Sequence, residues 1–115
     1  MSGSDVDLEF DVADLVAVLG EPTSLSNPDL LDYWFEYRRS DDVTVTLSLS
    51  GYQRSVAVIV RVSESVVACS VRIDRCDAVR VLESARRTLE VVSSDPSARC
   101  FIALDGETIV VATVP

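Results

Sequence analysis

The run Val43-Thr-Val-Thr-Leu-Ser-Leu-Ser50 alternates without a break, apolar at odd positions and hydroxyl-bearing at even ones. Successive side chains of a strand point to opposite faces, so the run predicts a strand with one face on a core and the other wet or lightly covered. The same period recurs on both sides. Tyr33, Phe35 and Tyr37 alternate with Trp34, Glu36 and Arg38. Val56, Val58, Val60 and Val62 alternate with Ala57, Ile59 and Arg61, and Val67, Cys69, Val71 and Ile73 with Ser70 and Arg72. The connections, Arg39-Ser-Asp-Asp42, Gly51-Tyr-Gln-Arg54 and Ser63-Glu-Ser65, are of hairpin length. Four strands in an antiparallel meander follow.

Elsewhere the period changes. Leu8, Val12, Leu15, Val16 and Leu19 recur at helical spacing, and Gly20 and Pro22 form a stop, so a helix is expected from Asp7 or Asp11 to Leu19. Ala78, Val79, Leu82, Ala85, Leu89 and Val92 also fit one helical face, with Glu83 and Arg87 at i, i+4 and Asp74 as N-cap. They predict a second helix over about 76–92. Two strands, 99–104 and 107–114, then flank Asp105-Gly106, a strong signal for a two-residue hairpin that sets Ile102 opposite Ile109. The expected fold is α+β: one domain over residues 1–115, residues 1–5 a flexible lead, order α-β-β-β-β-α-β-β. The sheet is mostly antiparallel, with two helices packed on one face.

Composition removes most chemistry. The chain has no histidine and no lysine. Cys–His and Ser–His–Asp catalysis, histidine zinc sites, Schiff-base chemistry and the phosphate-loop lysine are therefore excluded. No Gly-rich phosphate loop and no D-x-D-x-D-G calcium loop occurs, so neither cofactor nor metal is expected, and the chain reads as non-enzymatic. Cys69, Cys76 and Cys100 form no C-x-x-C pair and read as buried thiols without a disulfide. The first nine residues lack the basic and apolar regions of a signal peptide, and no apolar run approaches a membrane span, so a cytoplasmic location is expected.

The formal net charge is −9, and its layout says more than its size. Residues 1–42 hold eleven acids against two arginines, whereas residues 43–115 hold eight acids and eight arginines. Nucleic acids and anionic membranes are poor partners for such a surface. A basic protein is a good one. The residues expected to meet it are Asp7, Asp11 and Asp14, which share a helical face, Trp34 and Arg38 on the less covered sheet face, and Tyr52 and Arg54 in a turn. Arg61 and Arg72 join Trp34 if the register permits. For the acid stripe the competing reading is a solvated face; for Trp34 it is a contact closing a second small core.

The run Leu19-Gly-Glu-Pro22, the segment Tyr33-Trp-Phe-Glu-Tyr37 and Val43–Ser50 with Gly51-Tyr-Gln-Arg54 resemble small bacterial α+β proteins of the toxin-immunity type. The resemblance rests on pattern across most of the chain. It implies partner binding and no chemistry, and carries over no functional residues. The alternatives are a homodimer of the secretion-chaperone type, and a small-ligand domain with a pocket near Trp34.

Overall fold

The computed structural model describes residues 8–40, 43–63, 66–83, 86–94, 97–105 and 110–114. They form one α-helix, α1 (Val12–Leu19), and eight strands: β1 (Asp32–Ser40), β2 (Val43–Ser50), β3 (Ser55–Val62), β4 (Val66–Ile73), β5 (Cys76–Glu83), β6 (Thr88–Ser94), β7 (Ser97–Ala103) and β8 (Val110–Val114). The strands make two four-stranded antiparallel sheets, β1-β2-β3-β4 and β5-β6-β7-β8, each a meander in chain order. The two-helix arrangement is therefore corrected: the architecture is mostly β, with a single α-helix among the described residues.

The first sheet follows its sequence, save that a bulge at Ala68 sets Val67 opposite Arg61 on the outer face instead of the inner one. β1 and β2 pair Phe35 with Leu47 and Trp34 with Ser48, and β2 and β3 pair Leu47 with Val58. Phe35, Val45, Leu47, Leu49, Val56 and Val58 are buried, while the hydroxyl-bearing positions lie on the other face. The helix also follows its sequence. Asp11 is its N-cap, with Oδ1 accepting from the Asp14 backbone N at 3.2 Å, and Gly20 closes it at φ 90°. Asp7 lies outside the described residues.

The expected second helix is instead the hairpin β5–β6. Two bulges, between Cys76 and Ala78 and between Val81 and Glu83, each insert a residue and reset the parity of the strand. Apolar side chains consequently fall at 78, 79, 81 and 82, a spacing that imitates a helical stripe. The β5–β6 turn carries Arg87 in the left-handed region at φ 49°, without a glycine to announce it. Glu83 pairs with Arg86 across that turn at 3.5 Å rather than with Arg87 along a helix, and Asp74 pairs with Arg72 rather than capping. The last hairpin is also corrected. Ile102 faces Val111 and not Ile109, and Ala103 faces Val110. Leu104 is drawn out of the ladder: it is fully buried, and its N–H donates to Arg87 O at 3.1 Å. Gly106 lies outside the described residues.

One hydrophobic core joins α1 to the inner faces of both sheets, with Leu15, Val18 and Leu19 meeting Phe35, Leu47, Val58, Val79, Leu89, Val91 and Ile102. Backbone and arginine contacts pin the sheets to each other. Leu8 N donates to Gly51 O at 3.0 Å, while Glu9 forms a parallel bridge with Ala78 on the edge of β5. Arg54 donates from Nε to Cys76 O at 2.9 Å and from a terminal nitrogen to Asp77 Oδ1 at 2.6 Å. The Arg87 guanidinium lies 5.3 Å from the centre of the Tyr37 ring.

The three cysteines are present as thiols. Burial, with Asp74 and Asp77 adding to it, pushes the Cys76 thiol from its ordinary 9.0 up to about 11, and its Sγ lies 3.2 Å from Ile73 O. Burial raises Cys100 as well. The folded state thus favours neutral Cys76 more than the unfolded chain does. That stabilisation is complete below pH 9 and is lost as pH rises towards 11. The denaturant midpoint is expected to fall between pH 9 and 11, and a Cys76→Ala variant to show a flatter decline over the same window.

Candidate functional site

The sequence places Trp34 on the face of β1 opposite Phe35, and the two sheet faces separate them cleanly: Phe35 is fully buried and Trp34 is 37% exposed. Trp34 stands on an edge strand whose backbone at Asp32 and Trp34 is bonded by the preceding loop. Thr23 N donates to Trp34 O at 2.7 Å, Trp34 N donates to Ser26 Oγ at 2.9 Å, and Asn27 and Asp32 exchange backbone bonds at 2.7 and 3.0 Å. The edge of β1 is thereby covered at Asp32 and Trp34, and the indole is held on a backbone fixed from both sides.

Cross-strand register sets what surrounds the indole. Trp34, Ser48, Ala57 and Arg72 form one row across the outer face, and Glu36, Thr46, Ile59 and Ser70 the next. Small hydroxyl and methyl side chains floor the face between the tryptophan and the arginines. Two depressions result, one on either side of the indole. One, of about 200 Å³, lies among Asp32, Trp34, Ser48, Ser55, Ala57 and Arg72. The other, of about 350 Å³, lies among Thr23, Leu25, Trp34, Glu36, Thr46 and Arg61. Each brings a carboxylate of β1 to one wall and an arginine of β3 or β4 to the other. Arg61 donates to Thr46 Oγ1 at 3.3 Å, and Arg72 is held by Asp74 at 3.2 Å. Leu25, two-thirds exposed, rims the larger depression.

The other expected site residues divide. Arg38 lies on the same face of β1, exposed, 4.0 Å from Glu36, a separation worth little in water. Tyr52 is exposed at the β2–β3 turn. Arg54, on that same turn, points inward and spends its donors on Cys76 and Asp77, so it clamps the two sheets together. Asp11 and Asp14 stand with Glu9 and Arg80 around a separate cavity of about 370 Å³ between α1 and β5. Asp32, Glu36, Ser26 and Leu25 were missed as site residues. Period-2 parity from Trp34 finds the two acids, but the loop residues reach the site only through the fold. Among the described residues no cluster of three or more Asp, Glu or Cys side chains is arranged to hold a metal ion. No helix among them is long and apolar enough to cross a membrane.

A chain in the solved structure of a contact-dependent growth inhibition toxin–immunity protein complex from Klebsiella pneumoniae 342 shares this architecture, with a TM-score of 0.71. The match covers 95% of this chain and 98% of that one, at 13% identity. The fold recurs in a toxin–immunity complex. At this identity the likeness establishes the fold alone. No protein-family model matches the chain, and no curated protein does.

Proposed function

We propose that this chain is a non-catalytic, acidic binding protein of the immunity type, which neutralises a basic protein in the cytoplasm by docking on it through the Trp34 face. The observation that carries the reading is an exposed tryptophan held rigidly on β1 between two carboxylates of the same face, Asp32 and Glu36. A large aromatic on a fixed backbone is the usual anchor of a protein interface. The flanking depressions suit long basic side chains, whose stems pack on the indole while their charges meet the carboxylates. The acid-rich first third supports the choice of a basic partner, and the fold likeness supports the class. Asp11 and Asp14 add to the long-range attraction, which speeds encounter and weakens with salt.

The test is protection of growth against a basic toxin domain co-expressed with the chain, together with the affinity of the purified pair. Trp34→Ala is expected to weaken binding about 30-fold, the size of a central anchor, and to abolish protection at low expression. Asp32→Asn with Glu36→Gln is expected to slow association and to flatten its dependence on salt. Unchanged affinity in Trp34→Ala, with the fold intact, overturns the assignment of this face.

A further inference from the structure

The two outer faces of the molecule differ in a way that the Trp34 site does not use. On the first sheet, the outward positions of β2 are Thr44, Thr46, Ser48 and Ser50, each with a hydroxyl. On the second sheet the register sets Ala78, Val92, Arg99 and Val114 in one row, Arg80, Glu90, Phe101 and Ala112 in the next, and Glu83, Thr88, Ala103 and Val110 in the third. Towards β7 and β8 the face is apolar. Val110 is 46% and Val114 47% exposed, Ala112 is exposed, and Phe101 is half-buried. The two carboxylates in these rows are each held by an arginine: Glu90, 7% exposed, lies 3.7 Å from the Arg99 guanidinium, and Glu83, exposed at the end of the third row, lies 3.5 Å from Arg86.

We infer that this outer face of β5–β8 is a self-association surface, occupied by the same face of a second copy of the chain about a two-fold axis. Charge decides the occupant. A basic partner finds no unpaired carboxylate in these rows, because Glu90 is covered and paired with Arg99 and Glu83 is paired with Arg86. The acid excess that makes two copies repel lies in residues 1–42, while residues 43–115 balance, so two copies meeting here bring together their electrically neutral parts. A self-complementary apolar patch facing itself is the arrangement a two-fold dimer requires. Four strands of modest length make a small interface, which places the dissociation constant in the micromolar range rather than the nanomolar. The Trp34 face, on the other sheet, stays open in such a dimer.

Sedimentation velocity of the full chain, from about 1 to about 200 µM, tests the inference across that range. The wild type is expected to shift from one to two chain masses. Val110→Arg and Val114→Arg, both at exposed positions that fold without them, are each expected to weaken the dimer about tenfold or more. Trp34→Ala is expected to leave it unchanged. A wild type that stays monomeric throughout overturns the inference, as does a dimer that survives both arginine variants or is lost in Trp34→Ala. Loss of partner binding in Trp34→Ala with the dimer intact separates the two faces, so failure of one reading leaves the other standing.

Discussion

Phe35→Ala is expected to lower the unfolding free energy by about 3–5 kcal/mol, the range for deleting a buried aromatic side chain. Phe35 is fully buried where α1 and the two sheets meet, and its ring stacks on Tyr33 with centroids 6.3 Å apart. Tyr33 in turn meets Phe10 edge-on at 5.5 Å. The void left by the ring cannot be filled by its neighbours. Leu47 and Tyr33 are fixed by their ladder positions, and Leu15 by the helix. The neighbouring substitution supplies the contrast. Trp34→Ala removes a larger side chain from the same strand, yet its stability cost is expected to be smaller, about 2 kcal/mol, because the residue is 37% exposed and its loss leaves no enclosed void. Urea denaturation of the two variants, read by far-UV dichroism, checks both values. Similar losses for both would mean that the indole is packed as firmly as the phenyl ring, and that Trp34 is a structural residue rather than a docking anchor.

Adjacent residues with such different expected costs show where the sequence was legible. Unbroken period-2 alternation fixes face as well as strand, so β1 to β3, most of β4 and the outward Trp34 follow from residue types alone; the exception is Val67, which a bulge at Ala68 sets opposite Arg61 and leaves 51% exposed. Asp11 as helix cap is readable for a similar reason: a short carboxylate just before an apolar stripe has one local use. β5 and β6 were not legible, because the bulges at Asp77 and Leu82 break the alternation and the turn relies on Arg87 instead of glycine. Helix-forming Leu, Glu, Ala and Arg in that stretch are overridden by the pairing of β6 between β5 and β7 and by the burial of Val79, Leu89 and Val91 in the core. The site was legible only in part. Trp34 comes from parity, but the loop that covers the edge of β1 at Trp34 depends on Ser26 reaching a backbone eight residues away. The inward turn of Arg54 depends on β5, a strand the sequence disguises. A solvent-facing arginine and an inter-sheet clamp have the same signature in a turn until the partner carbonyl is in place.

Gly51→Ala is expected to destabilise the fold by about 3 kcal/mol, although the added group is a single methyl. Gly51 opens the β2–β3 turn with a buried backbone. Its N–H donates to Leu31 O at 2.9 Å, and its carbonyl accepts from Leu8 N at 3.0 Å. A Cβ built there lies 2.6 Å from Leu31 Cβ and 3.3 Å from Leu31 O. Contact at a Cβ cannot be relieved by a rotamer change, so backbone must move, and either movement strains a hydrogen bond that ties the N-terminal segment or the 3-10 turn Pro28–Leu30 to the sheet. Leu31 itself is held at φ 52°, a left-handed conformation that glycine adopts without the Cβ penalty. Leu31→Gly therefore removes the obstructing atom and relaxes its own backbone, at the loss of a half-buried side chain. By itself it is expected to change stability by no more than about 1 kcal/mol. In the double variant Gly51→Ala with Leu31→Gly, most of the loss caused by Gly51→Ala is expected to return, with a coupling energy of about 2 kcal/mol in a double-mutant cycle. Additive effects of the two substitutions would place the cost of the methyl in the conformation of the β2–β3 turn and not in its contact with Leu31.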